Sequence, residues 1–183
     1  MAFPVVLDTC VLYPAHLRDT LLRLAERGLY RALWSDDIII ELERNLTKSG
    51  VSPLSVSHLV EQMQRAFPDA KIHGYRALVP AMACDEKDRH VLAAAVRADA
   101  AAIVTFNGRD FPPDSVAPFQ IDVVDPDTFL LDQLDLAPRG VLDELELQAA
   151  ANRRRPRSAA AVLDALARAG VPQFADEVRR RRM

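Results

Sequence analysis

The amino-acid sequence predicts an α/β fold, in which a central parallel sheet is covered by helices and followed by a small extension made of helices alone. Two observations predict it. Apolar, strand-like runs alternate with amphipathic segments up to residue 125, a pattern typical of parallel sheets with crossover helices. From Pro126 onward the apolar periodicity is helical. We therefore predict one domain over residues 1–125 and a helical extension over residues 126–183.

The first elements of the chain can be assigned in order. Val5–Leu7 is an apolar strand, and the leucines after it recur at helical spacing as far as Gly28, which favours a helix end. A short extended segment, LYRALWS, leads to Ser35, a suitable N-cap for the helix DDIIIELERNLTK. A further helix covers SPLSVSHLVEQMQRAF, and we expect the following PDAKIHGYRALVPAMAC to be irregular.

The second half of the predicted sheet domain repeats the alternation. The helix DEKDRHVLAAAVRADA leads into the strand AAIVTF, the loop NGRDFPP and the strand QIDVV. Right-handed crossovers place the ends of such strands at one edge of the sheet. Ligands of open parallel sheets bind outside the carboxyl ends of the strands, so we expect the site there.

Composition narrows the class of protein. Half of the 183 residues are apolar, and no apolar run approaches the roughly 18 residues of a membrane span. The first residues lack the pattern of a signal peptide, so we expect a cytoplasmic protein that does not enter a membrane. Cys10 and Cys84 do not form a paired metal or disulfide motif, which argues against a zinc site and a disulfide framework.

Positive charge is concentrated in the predicted extension. Residues 1–125 carry 17 acids and 13 Lys or Arg, whereas residues 126–183 carry 9 acids and 10 Arg. The arginines form two blocks, one over residues 179–182 and one made of Arg153, Arg154, Arg155 and Arg157. We predict that the 153–157 block meets phosphate or an acidic protein surface, with solvated helix ends or a disordered tail as the alternative interpretation.

Asp8 is the clearest candidate for a functional residue. It follows a strand that would be buried on both faces, where an unpaired carboxylate would cost several kcal/mol. Asp8 must therefore stand where the strand ends, at the predicted ligand crevice.

A second acid comes from the helix that begins after Ser35. Glu41 and Glu43 border the buried face of this helix on opposite sides, which we call its two shoulders. Periodicity alone does not choose between them. Asn45 lies one turn beyond Glu41 on the same shoulder, and this polar pair at the border of the core favours Glu41.

Two later loops supply the remaining acids. Asp85 and Asp88 have the spacing of a capping box, yet Asp88 is in register with the buried face of its helix, so we assign the functional role to Asp88. His90 is expected to face away from Asp88, as a surface or packing residue. Asp110 follows a strand and a glycine turn, with turn capping as the alternative role and Asn107 as a secondary contributor.

Several carboxylates in one crevice raise one another's pKa, and a divalent cation relieves that repulsion. Oxygen ligands without His or Cys indicate Mg²⁺ or Mn²⁺. Such an ion activates water and stabilises charge on a phosphoryl oxygen, the recurrent chemistry of phosphodiester hydrolysis. We therefore expect a metal-dependent nuclease with Asp8, Glu41, Asp88 and Asp110 as catalytic metal ligands.

The motifs DTCVL, SDDIIIELERNL, DEKDRHVLAAA and IVTFNGRDF, in this order, resemble the acidic motifs of PIN-domain ribonucleases over about residues 4–125. The resemblance implies a PIN-like three-layer fold, an RNA substrate, and Asp8, Glu41, Asp88 and Asp110 as the metal-binding acids. It also implies Thr9 and Thr105 as neighbouring hydroxyls. Many PIN domains carry an acid where Asn107 stands, so the number of bound metal ions, one or two, is left open.

The segments PDTFLLDQLDLAP and LDALARAGVPQFA are similar to the C-terminal extension of a subgroup of VapC toxins, the ribonuclease halves of toxin–antitoxin pairs. This similarity implies a cognate antitoxin partner, and leaves open whether the protein forms a homodimer. A PIN-domain nuclease of RNA processing or decay, and a non-catalytic binding module whose acids cap helices, are the alternatives.

Two other enzyme classes are excluded by single positions. A haloacid-dehalogenase phosphatase would need an acid where Cys10 stands, and a cysteine phosphatase would need an arginine closer to Cys10 than Arg18.

Overall fold

Five short parallel strands form the centre of the fold in the computed structural model, which describes residues 2–151 and 156–182. The strands are β1 (Pro4–Leu7), β2 (Arg31–Ser35), β3 (Lys71–Ile72), β4 (Ala102–Val104) and β5 (Asp122–Val124). Their order across the sheet is β3-β2-β1-β4-β5, and every pairing between neighbours is parallel. The predicted α/β fold class is confirmed.

Helices cover the sheet. They are α1 (Thr9–Leu12), α2 (Ala15–Glu26), α3 (Asp36–Lys48), α4 (Pro53–Ala66), α5 (Arg89–Arg97) and α6 (Pro113–Val116). Val5, Val6 and Leu7 are fully buried, as expected of a central parallel strand with both faces covered. Ser35 caps α3 as predicted, because its hydroxyl accepts a 3.2 Å hydrogen bond from the Ile38 amide.

Two predictions about local structure were wrong. The segment expected to be irregular contains β3 and a 3₁₀ helix, Arg76–Ala81. β3 pairs over only two residues at the edge of the sheet, which is too short to leave a periodic signal. The single helix expected after β1 is two helices, because Pro14 ends the short α1 and stands at the N-cap of α2.

Four helices follow the sheet: α7 (Pro126–Leu136), α8 (Pro138–Ala151), α9 (Ala159–Arg168) and α10 (Pro172–Arg182). They pack on one another, and α8 and α9 also contact α2. At this contact the buried Thr20 hydroxyl donates a 2.7 Å hydrogen bond to Oε1 of Gln148, which is itself fully buried. The helices after Pro126 are therefore joined to the sheet layer through α2.

The arginines of α10 are paired with acids of the same chain. Arg179 forms ion pairs with Asp164 and Asp176, and Arg181 pairs with Asp135 and Glu177. These pairs reduce the local positive charge that the sequence suggested for residues 179–182. Arg153, Arg154 and Arg155 lie outside the described residues.

No helix in the described part of the chain is both long and apolar enough to cross a membrane. Cys10 and Cys84 are free thiols.

Candidate metal centre

Asp8 and Thr105 lie side by side at the carboxyl edge of the sheet. Each directly follows a strand, and β1 and β4 are paired with Leu7 opposite Val104. The Asp8 side chain is buried, and its Oδ2 accepts a 2.7 Å hydrogen bond from the Thr105 hydroxyl. This is the point at which the strand order reverses, with β2 on one side of β1 and β4 on the other, where parallel sheets form their ligand crevice.

Two further donors fix the Asp8 carboxylate. The Thr9 amide donates to Oδ1 at 2.7 Å, and the Cys10 thiol donates to Oδ2 at 3.2 Å. Burial, reinforced by the charge of Asp8, raises the pKa of Cys10 to about 12. The thiol therefore stays protonated near neutral pH, where it orients Asp8 and is no nucleophile.

Asp88 brings a second buried carboxylate to this edge. It ends the 3₁₀ turn Glu86–Asp88 and precedes α5, but its side chain makes no capping hydrogen bond. Asp85 caps that turn instead, by accepting a 3.2 Å hydrogen bond from the Lys87 amide. Asp85 therefore has the capping role that the sequence offered as an alternative, and the Asp88 side chain does not.

One oxygen of the Asp88 carboxylate lacks a hydrogen bond. Its Oδ2 is buried and has no hydrogen-bond partner in the described structure. Burial first, and then the charges of Asp8 and Asp110, raise the pKa of Asp88 to about 7. The same interactions show that Asp8 and Asp110 are each close enough to Asp88 to repel its charge.

Asp110 completes this group of three acids, with a cation of the chain beside it. Nζ of Lys87 lies 3.0 Å from Oδ2 of Asp110 and 3.8 Å from Oδ2 of Asp88. The Lys87 ammonium lowers the pKa of Asp88, but burial and the neighbouring acids outweigh it. Lys87 therefore neutralises the cluster only in part.

Glu41 stands at the border of the group and is linked to it through Thr9. The Thr9 hydroxyl donates a 3.1 Å hydrogen bond to Oε2 of Glu41, while the Thr9 amide binds Asp8. The Glu43 side chain forms no hydrogen bond or ion pair with any residue that the structure describes. The shoulder of α3 that carries Glu41 is thus the one that faces Asp8.

His90 is also near Glu41. Its Nε2 lies 4.0 Å from Oε2 of Glu41, and its Nδ1 is buried without a hydrogen-bond partner in the described residues. The sequence predicts a surface or packing role for His90 and gives no sign of this contact. The contact joins α3 to α5 across about 50 residues of chain, and helical periodicity within one segment carries no information about it.

The donor set fits a hard divalent cation. No three Asp, Glu, His or Cys side chains within residues 2–151 and 156–182 stand in a ready-made coordination geometry. However, Asp8, Asp88 and Asp110 present carboxylate oxygens alone, and the buried, unpartnered oxygen of Asp88 lacks a full counter-charge. Carboxylate oxygens are the ligands that hard divalent cations prefer in proteins.

The remaining predicted residues have more peripheral positions. Asn45 lies one turn beyond Glu41 on α3, and Asn107 is exposed and donates its backbone amide to the Thr105 hydroxyl at 2.9 Å. Arg157 is exposed at the start of the segment that leads to α9, beside a cavity also lined by Glu146 and Arg179.

Cys10 and Lys87 contact the acids but were not predicted. Their proximity in sequence to Asp8 and Asp88 was the available signal.

Comparison with known proteins identifies the family. The PIN domain family matches residues 4–109, more than half of the chain, and the chain therefore belongs to the PIN-domain family. A second family, described as the VapC50 C-terminal domain, matches residues 126–180. The predicted resemblance to PIN domains with a VapC-type helical extension is confirmed.

A curated relative supports the same assignment. "Putative ribonuclease VapC50" of Mycobacterium tuberculosis (strain ATCC 25618 / H37Rv) is 47% identical to this chain over 107 residues, which are 58% of this chain. The match spans 63% of the length of that relative. No solved structure matches the chain significantly.

Proposed function

We propose that the protein is a metal-dependent endoribonuclease that hydrolyses RNA phosphodiester bonds. The observation that carries this proposal is the group of Asp8, Asp88 and Asp110 at the switch point of a PIN-domain sheet, with a buried Asp88 oxygen that lacks a hydrogen-bond partner. The name of the M. tuberculosis relative, a ribonuclease, supports the RNA substrate.

In this proposal Asp8, Asp88 and Asp110 hold Mg²⁺ or Mn²⁺, with Glu41 as a fourth carboxylate at the border of the site. The ion supplies Lewis acidity, which lowers the pKa of water and stabilises charge on a phosphoryl oxygen. Thr105 and Cys10 keep the Asp8 carboxylate in one orientation through their hydrogen bonds, and Thr9 does the same for Glu41. Such outer hydrogen bonds commonly change metal affinity or activity 10- to 100-fold.

We further propose that the protein is the toxin of a type II toxin–antitoxin pair in the cytoplasm, with a cognate antitoxin as its protein partner. The match of residues 126–180 to the VapC50 C-terminal domain supports a toxin over a nuclease of general RNA decay. Residues 1–125 would form the nuclease domain, because β5 pairs with β4 and so completes the sheet just before Pro126. Arg153, Arg154, Arg155 and Arg157 are proposed contacts to RNA or to the antitoxin.

Cleavage of RNA by the purified full chain tests the nuclease proposal. We expect cutting with Mg²⁺ or Mn²⁺, loss of cutting in excess EDTA, and recovery when the ion is restored. Asp132→Asn, at an exposed position of α7, is the matched control for Asp88→Asn. Undiminished cutting by the wild-type protein in excess chelator would contradict the metal mechanism, and equal activity of Asp88→Asn and Asp132→Asn would contradict the site.

A further inference from the structure

A groove of about 540 Å³ lies beside the group of acids, between α1 and the C-terminal half of α3. Cys10, Tyr13, Asn45, Lys48 and Ser49 line it. Its volume lies in the range of sites that hold small organic molecules.

The groove is continuous with the proposed metal centre. Cys10 lines the groove, and its thiol lies 3.2 Å from Oδ2 of Asp8. On the opposite wall, Asn45 follows Glu41 by one turn of α3, and Glu41 is joined to Thr9 by a 3.1 Å hydrogen bond. The groove therefore borders the residues that hold Asp8 and Glu41 in place.

The groups that line the groove are available to a ligand. The Tyr13 side chain is 39% exposed. Lys48 makes no ion pair and the Asn45 side chain makes no hydrogen bond with any residue of the described structure, whereas the neighbouring Arg44 is paired with Glu41 at 3.7 Å. An exposed aromatic ring, an unpaired cation and a free amide thus stand on one surface.

These three groups match the parts of a nucleotide. Aromatic rings stack on unpaired bases, a lysine ammonium neutralises a phosphate, and amides bind the edges of bases. A base that is paired in a helix could not present its face to Tyr13, so the groove favours single-stranded RNA.

We infer that this groove binds one unpaired nucleotide of the RNA, next to the phosphodiester that is cut, with its base on Tyr13 and its phosphate near Lys48. The inference rests on the proposed ribonuclease function and adds to it a subsite for single-stranded substrate. Asn45 and Ser49 supply hydrogen bonds to the base or the sugar.

Binding of a fluorescein-labelled single-stranded RNA tests the stacking contact. The measurement uses the full chain with Asp8→Asn, in EDTA, so that the RNA is not cut. We expect Tyr13→Ala to weaken binding about tenfold or more and Tyr13→Phe to preserve most of the affinity. The control is Phe119→Ala, because Phe119 is also 39% exposed but precedes β5, at the opposite edge of the sheet. We expect it to bind like its parent.

Salt dependence tests the phosphate contact. Lys48→Gln should reduce the slope of log affinity against log salt by about 0.7, the value for one lost single-strand phosphate contact. Arg31→Gln is the matched control, because Arg31 is exposed at the amino end of β2. It should leave the slope unchanged.

The outcomes separate this inference from the proposed function. If the wild-type protein cuts RNA with Mn²⁺ but Tyr13→Ala and Lys48→Gln bind RNA as tightly as their parent, the inference is overturned. An equal loss in Tyr13→Ala and Phe119→Ala would also overturn it. If Tyr13→Ala alone loses affinity while the wild-type protein cuts no RNA, the subsite stands and the catalytic proposal fails.

Discussion

The Thr105 hydroxyl donates a 2.7 Å hydrogen bond to Oδ2 of Asp8 across 97 residues of sequence. The bond forms because β1 and β4 are neighbours in the sheet and both end at this edge. The same hydroxyl accepts the Asn107 amide at 2.9 Å. Thr105 thus links the loop after β4 to the central acid of the proposed metal centre.

We predict that Thr105→Val will lower the rate of RNA cleavage by roughly tenfold or more, because it removes the donor that orients Asp8. Thr105→Ser keeps the hydroxyl and should retain most of the rate. Steady-state cleavage at saturating Mn²⁺ measures both variants, and urea unfolding checks that each is folded. A folded Thr105→Val variant with the wild-type rate would rule out an orienting role for this hydroxyl.

The raised pKa of Asp88 predicts how stability depends on pH in the metal-free protein. The folded state holds a proton on Asp88 up to about pH 7, whereas the unfolded chain releases it near the ordinary value of 3.8. The contribution of this proton to stability is therefore complete below about pH 4 and is lost as the pH rises to 7 and above.

Asp88→Asn should remove this loss of stability at higher pH. In EDTA at pH 8, we expect the variant to be more stable than the wild-type protein by roughly 1–3 kcal/mol, since one pKa unit corresponds to 1.36 kcal/mol. The advantage should shrink at pH 5. Urea unfolding at the two pH values gives the comparison, with Asp132→Asn as the control that should show no such change. An advantage of Asp88→Asn that is the same at both pH values would contradict the assignment.

The two shoulders of α3 give a paired test. Glu41→Gln should lower the cleavage rate at least tenfold, because Glu41 is bound by Thr9 beside Asp8, and Glu43→Gln should leave it unchanged. Both variants keep the size of the side chain and remove one charge. Loss of activity in Glu43→Gln with full activity in Glu41→Gln would show that the other shoulder carries the function.

Gly170 connects the C-terminal helices with the loop after β4. Its φ is +103°, and a Cβ there would lie 2.8 Å from Cε1 of Phe106, whose amide donates to Cys10 Sγ at 3.2 Å. Gly28 has a similar φ of +84°, but a Cβ there would meet no atom within 4 Å.

We therefore predict that Gly170→Ala will destabilise the protein by about 1–3 kcal/mol more than Gly28→Ala, since only Gly170→Ala adds a clash to the backbone strain. It should also slow cleavage, because Phe106 follows Thr105 directly. Urea unfolding and cleavage rates measure the two effects. Equal destabilisation by both substitutions would show that Phe106 moves aside without cost.

The sequence predicted the residues that local rules govern. Asp8 is predicted from a carboxylate that ends a buried strand, Ser35 from its place before an acidic first turn, and Glu41 from an amphipathic helix together with Asn45 one turn beyond it. Each of these signals lies within a few residues of its own element. The fold class followed from the alternation of such elements.

The features that the sequence did not predict depend on contacts between distant segments. The ion pair of Lys87 with Asp110 and the approach of His90 to Glu41 form only after α3, α5 and the loop after β4 have assembled. β3 was missed because its two residues gain their structure from pairing with β2. No local periodicity carries this information.

The unfolding temperature of the metal-free protein, measured as Mn²⁺ is added, tests the central claim most directly. Binding to the folded state alone adds about 2.7 kcal/mol of stability at 100 times the Kd, so we predict that the unfolding temperature of the wild-type protein and of Asp132→Asn rises with the logarithm of the Mn²⁺ concentration above the Kd. Asp88→Asn should lose most of this rise. The same rise in Asp88→Asn, or none in the wild-type protein, would contradict a metal centre formed by Asp8, Asp88 and Asp110.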